Sequence, residues 1–338
     1  IYQGDVDKWI KLANSLRLRA AMRLSFIDPD KAKAEGEAAL KESLIASNSD
    51  NAGVTPPQPN RWANPLLRSL VVDESRASKT MVDMLTSYGT VTDPRLTLIL
   101  SQSGAWVKGE ADAVQYRGVP NGLPVTDLSL PEYDNSHNSC IWGYMWGYDW
   151  NSAAKGSNVA KPNTDANFTP LGLMNYSEVC FLKAEAALRG WQGAGDAQAN
   201  YEEGIRASFE EMRALAPEGS YSTTDDNTYI TTGQVAWNNA DDFEIKLEKI
   251  ITQKWIGIYP NSEEAWAEFR RTGYPKLNPV KQSLEPTINP ANNEFIKKLR
   301  YVDNELSNNK EYATDPTLNG GKGDGLSVRV WWDTARYK

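Results

Sequence analysis

FEIKLEKIITQKWIGIYPNSEEAWAEFRRTGYP, Phe243 to Pro275, is the stretch in which pattern, caps and breakers agree best. Leu247, Ile250, Ile251, Trp255 and Ile258 recur at three- and four-residue steps, which places them on one face of a helix. Pro260 cannot continue that helix, because it lacks the amide hydrogen and collides with the preceding turn. Asn261 followed by Glu264 is a capping-box signature for a second helix. Its inward side carries Ala265, Trp266 and Phe269, and it ends at Gly273 with Pro275 just beyond. The expected product is a helical hairpin with two tryptophans on buried faces. Glu263, Glu264, Glu268, Arg270 and Arg271 sit at helical spacing and read as ion pairs and caps rather than as an active site.

Working outward, Val6 to Ile27 reads as one helix with Trp9, Leu12, Ala13, Leu16, Ala20 and Leu24 on a shared face. Asp28-Pro29-Asp30 breaks it, and Lys31 to Ala46 forms a second, alanine-rich helix. The pair recurs without gaps at Tyr176 to Leu215, where Ala186, Ala187, Arg189, Asp196 and Glu203 match Ala20, Ala21, Arg23, Asp30 and Glu37. Small residues at a crossing let antiparallel helices approach closely, as in tetratricopeptide-like repeats. Ser75 to Tyr88 is a shorter helix, and LTLIL after Asp93 to Leu96 reads as a short strand. VTPPQPNRWANP is an irregular connector, and VRVWWD near the end is a short extended segment. The fold class is therefore mostly α, with tetratricopeptide-like hairpins, long loop-rich insertions and a few short strands.

QKWIGIYPNSEEAWAEFRRTGYP closely resembles the signature hairpin of the SusD/RagB family of surface nutrient-binding lipoproteins. DVDKWIKLANSLRLRAAMRLS, the DPRL at Asp93 to Leu96 and the terminal GGKGDGLSVRVWWDTARY fit the same family. The resemblance implies one SusD-like domain over residues 1–338 that lacks its N-terminal part, which would carry an export signal and a lipidated cysteine. It further implies a surface-exposed lipoprotein of the outer membrane and a SusC-like, TonB-dependent transporter as partner. The activity it implies is capture of an oligosaccharide ligand without catalysis.

Composition narrows the classes independently. Thirty-six Lys and Arg against 44 Asp and Glu give a net charge of −8. With no basic run, a nucleic-acid partner is excluded. No apolar run approaches the roughly 20 residues that span a bilayer. Cys140 and Cys180 are too few for a disulfide scaffold and leave open one bridge or two buried thiols. His137 is the only histidine. It excludes His-rich metal sites, and a Ser-His-Asp system would rest on it without a G-x-S-x-G elbow. NGGKGDG at 319–325 lacks the setting of a phosphate loop and reads as a turn. DLSLPEYDN matches no EF-hand spacing. No cofactor and no metal is expected.

Residues 89–170 form the loop-rich region expected to face the ligand: from Gly104 to Pro170 helical periodicity disappears while Gly, Asn, Ser, Pro and aromatics accumulate. Within it, CIWGYMWGYDWN alternates Trp142, Tyr144, Trp146, Tyr148 and Trp150 with Gly143, Met145, Gly147 and Asp149, ahead of Asn151. In an extended chain those five rings line one side. Flat rings with polar tips suit sugars, whose C–H faces stack while their hydroxyls seek hydrogen bonds. Covering about 100 Å² of sugar on one ring yields about 2.5 kcal/mol, whereas a millimolar complex needs about 4 kcal/mol. Two or three rings plus polar contacts are therefore required. Tyr116 and Arg117, with Asp112, Asn121 and Asp127, lie in the same region and offer hydroxyl or carboxylate contacts. Arg61 and Trp62 form a second loop pair. The competing reading is that the rings pack onto the helices and the polar residues are merely solvated. Two rival functions remain open: an all-helical glycoside hydrolase with paired carboxylates, and a RagB-like module whose cargo is peptide or protein.

Overall fold

The computed structural model describes residues 1–55, 64–65, 76–141, 143–146, 169–309, 311, 315–317, 321 and 323–337. Helix α1 (Val6–Arg23) starts at Asp5, whose carboxylate accepts from the Lys8 amide, and α2 (Pro29–Leu40) is capped in the same way by Asp28. Strand β1 (Ala52–Val54) follows, then α3 (Lys79–Ser87), capped by Ser78. Two short helices, α4 (Leu96–Ile99) and α5 (Gly104–Lys108), lead into the loop-rich region. Beyond it come β2 (Leu171–Met174), α6 (Tyr176–Leu188), α7 (Ala197–Arg213) and α8 (Asp226–Thr231). Helices α9 (Phe243–Gly257) and α10 (Ser262–Thr272) form the signature hairpin, and α11 (Asp303–Asn308) lies near the end. β1 and β2 pair antiparallel with Ala52 opposite Met174.

Helices pack in the pairs the repeat predicts: α1 on α2 and α6 on α7, with α9 lying against both α6 and α7. Two expectations need correction. LTLIL is the helix α4 rather than a strand, because Arg95 to Leu100 close helical hydrogen bonds around a fixed Asp93–Arg95 pair. VRVWWD forms a turn in irregular chain, with no ladder partner among the described residues.

The phase of α1 also differs from the expected one. Leu12, Ser15, Leu18, Ala21 and Met22 are buried, whereas Trp9 and Leu16 are 45% and 40% exposed. Apolar residues lie on both sides of α1, so periodicity fixed the helix but not which side meets α2 and α6. Ser15 belongs to the buried side because its hydroxyl accepts from the Ile45 amide at 3.0 Å.

At the centre lies a buried ionic network that the hairpin organises. Lys254 on α9 stands 3.2, 3.1 and 3.5 Å from Glu178, Glu264 and Glu268. Arg19 holds Glu178 at 2.5 Å, Arg23 holds Glu264 at 2.8 Å, and Arg271 holds Glu185 and Glu268 at 2.6 Å each. Four cations thus face four carboxylates. Burial alone would raise the Glu268 carboxyl, yet Arg271, Lys254 and Arg23 hold it well below the usual carboxylate range. The capping box is consequently only half formed. Asn261 accepts from the Glu264 amide at 3.3 Å, but the Glu264 carboxylate turns into the network instead. Gly273 ends α10 in the left-handed conformation, at φ 79°, with the Arg336 carbonyl 2.8 Å from where a Cβ would stand.

A second polar knot explains DPRL. Arg95 bonds Asp93 at 2.6 Å, Gln253 at 2.6 Å and Ser208 at 3.0 Å, and Tyr229 donates to Asp93 at 2.6 Å. All of these residues lie inside the protein. The motif therefore ties the start of the loop-rich region to α7, α8 and α9.

Candidate ligand-facing site

Four chain segments build the base of the loop-rich region by exchanging main-chain hydrogen bonds. Ala77 donates to the Ser139 carbonyl at 2.7 Å, Val119 to Ala77 at 2.8 Å, and Lys79 to Val119 at 2.8 Å. Ser101 donates to Cys140 at 2.9 Å and Ala105 to Ser136 at 2.7 Å. The loops are therefore held in register without forming a sheet.

The expected ring-lined shelf is not extended where it is described. Tyr144–Trp146 is a turn of 3-10 helix, so alternation no longer puts Tyr144 and Trp146 on one side. Trp146 is fully buried, among Leu98, Met145 and Ile256. Its indole donates to the Tyr259 hydroxyl at 3.4 Å. This corrects the assignment of Trp146 to a ligand face. The cause is Gly143, whose amide donates to Ile99 at 2.9 Å and whose absent side chain lets the chain lie directly on Leu98. Any Cβ there would stand 2.2 Å from the Leu98 carbonyl. Tyr144 is half-buried on the same core. Trp142, Tyr148, Trp150, Asn151, Arg61 and Trp62 lie outside the described residues.

Tyr116 also faces the core rather than open space, and burial pushes its hydroxyl up to about 12. Arg117, its neighbour, faces the other way. It lines an open cleft of about 470 Å³ with Leu130, Pro131, Glu132 and His137. His137 is oriented by Asp134, whose one oxygen accepts from the ring Nδ1 at 2.8 Å and from the amides of Ser136 and His137 at 2.9 Å. Glu110 stands 3.5 Å from the other ring nitrogen. Glu132 and His137 have no periodic signal around them. The three-residue spacing of Asp134 and His137, typical of a side-chain cap, is the local signal that could have found this turn. Of the other loop candidates, Asp112 is exposed in a left-handed conformation and Asp127 begins a turn of 3-10 helix. The Asn121 carbonyl accepts from the Lys281 amide at 2.8 Å.

A larger cavity, about 680 Å³, lies beside β2 and the end of α7, walled by Tyr2, Asn175, Glu211, Met212 and Tyr259 among others. Burial pushes the Glu211 carboxyl up to about 7, although Asn175 donates to it at 2.8 Å. Cys140 and Cys180 are buried thiols with no bridge between them, and burial pushes Cys180 up to about 12. Among the described residues, no group of three His, Cys, Asp or Glu is placed to hold a metal ion, and no helix is long and apolar enough to cross a membrane.

Paired helices that support a loop-borne cleft define a helical-repeat protein whose candidate site lies in its loop-rich part. The family model of SusD-like proteins, described as "Susd and RagB outer membrane lipoprotein", matches residues 1–333, and the chain belongs to that family. It is similar to a chitin-binding SusD homologue from Flavobacterium johnsoniae, with 30% identity and a TM-score of 0.73 over 98% of this chain and 65% of that one. A SusD homologue from Parabacteroides distasonis superposes with a TM-score of 0.77 at 28% identity, over 99% of this chain and 67% of that one. One from Bacteroides uniformis gives 0.72 at 28%, over 98% and 66%. The chain thus spans about 65% of the length of the first of these structures. No match was found among curated proteins.

Proposed function

We propose that the chain captures oligosaccharides at the cell surface, without cleaving them, and delivers them to a SusC-type, TonB-dependent transporter in the outer membrane. Residues 1–338 act as one unit in this reading, with 89–170 as its ligand-facing part. The observation that carries it is the division of labour within a SusD-like fold. A helical scaffold fixed by buried ion pairs holds loops that open a polar cleft at Arg117, Glu132 and His137. Solved relatives of this fold include chitin-binding proteins. A cleft with guanidinium, carboxylate and imidazole beside apolar Leu130 and Pro131 suits a sugar, which presents hydroxyls and a C–H face together.

A glycan array read against a peptide library tests the cargo, with glycan signals expected and peptide signals absent. Incubation with the bound glycans then tests catalysis. New reducing ends that disappear on changing a single Asp or Glu would replace the binder with a hydrolase.

A further inference from the structure

We infer that the cleft beneath Arg117 is a subsite for a carboxylate-bearing sugar, a uronic acid residue carried on an otherwise uncharged oligosaccharide. This rests on the glycan-binding reading above and narrows it. Among the described residues, every other arginine has a hydrogen bond or ion pair for its guanidinium. Arg117 has none, although it is half-buried and lines the cleft. A guanidinium drawn partly out of water ordinarily recovers its lost hydration from carboxylate or carbonyl oxygens. Here the fork is open to the cleft, and no ion pair joins it to Glu132, which shares that cleft.

The fork is also presented from a fixed position. The Arg117 amide donates to the Ser139 hydroxyl at 3.2 Å, and its carbonyl accepts from the Ser139 amide at 2.8 Å. Ser139 itself is fully buried, so this anchor belongs to the interior. A planar fork matches a carboxylate through two parallel hydrogen bonds. Leu130 and Pro131 supply the apolar wall for the ring of the same sugar.

The surrounding charges restrict the ligand further. Glu132 in the cleft, with Asp134 and Glu110 on either side of His137, repels a dense polyanion. The net charge of −8 acts in the same direction. One carboxylate among neutral sugars reaches Arg117 without gathering that repulsion along a chain of charges.

Galacturonate and glucuronate, titrated at millimolar concentration against galactose and glucose and followed by saturation-transfer NMR, provide the test. The uronates are expected to bind about tenfold more tightly. Arg117→Met should abolish the preference while leaving the circular dichroism spectrum unchanged. Arg117→Lys should restore part of it, because charge returns without the fork. Equal binding of both sugar classes, or a preference that survives Arg117→Met, overturns the subsite and leaves the glycan reading standing. Silence from both classes overturns the subsite, while the glycan array decides the wider glycan reading.

Discussion

Charge is handled in opposite ways in the helical scaffold and in the loop-rich region. Around Lys254 and Arg271 the scaffold surrounds each buried charge with opposite ones at 2.6 to 3.5 Å, so removing any one leaves partners stranded. Around Arg117 the loops use main-chain bonds for their architecture and leave a side chain unmatched at the rim of a cleft. A group that holds the fold together cannot also be offered to a ligand. A group that is offered should cost the fold little when it is removed.

The largest effect that separates the two regions is expected from Arg271→Met. It leaves Glu185 and Glu268 buried beside fewer cations, and about 3–5 kcal/mol of stability should be lost in urea denaturation. Retention of full stability would show that the network contributes nothing to the scaffold. Trp146→Ala comes next, at about 3–4 kcal/mol, because a fully enclosed indole leaves a cavity that its neighbours only partly fill. A sharp loss of glycan affinity at unchanged melting temperature would instead return Trp146 to the ligand face.

A pH-dependent difference is expected at Glu211. Its carboxyl is pushed up to about 7 by burial, against 4.5 when the group is unperturbed. The fold therefore favours the protonated form. That contribution is complete below about 4.5 and is lost as pH rises through about 7. Glu211→Gln should consequently melt with the parent protein at pH 4.5 and above it at pH 8. Equal melting temperatures at both pH values would mean that the group is already well solvated. The smallest effect belongs to Arg117→Met, which should change stability by no more than about 0.5 kcal/mol. A larger loss would make Arg117 part of the scaffold and erase the contrast.

Legibility followed the same division. The signature hairpin, its Asn261 cap and its Gly273 stop were readable because each depends on neighbours within one or two turns. The ion pairing of Glu264, Glu268 and Arg271 was readable as a class, but not the partners Arg23 and Glu185. Those sit 241 and 86 residues away along the chain. The alternation of CIWGYMW looked like an extended platform because period two was assumed. Contact of Gly143 with Leu98 bends that chain into a 3-10 turn and takes Trp146 inside.

By itself the sequence determined the long paired helices, the cap and breakers of the signature hairpin, the repeat pairing and the family. These follow from short-range periodicity and from motifs that survive without coordinates. Only the tertiary structure decided which face of α1 is buried, that Trp146 belongs to the core, and that Arg117 stands unmatched beside a cleft. Each of those depends on what distant segments place against a residue. Local periodicity carries no record of that, because the same apolar or charged side chain fits either environment until its neighbours arrive.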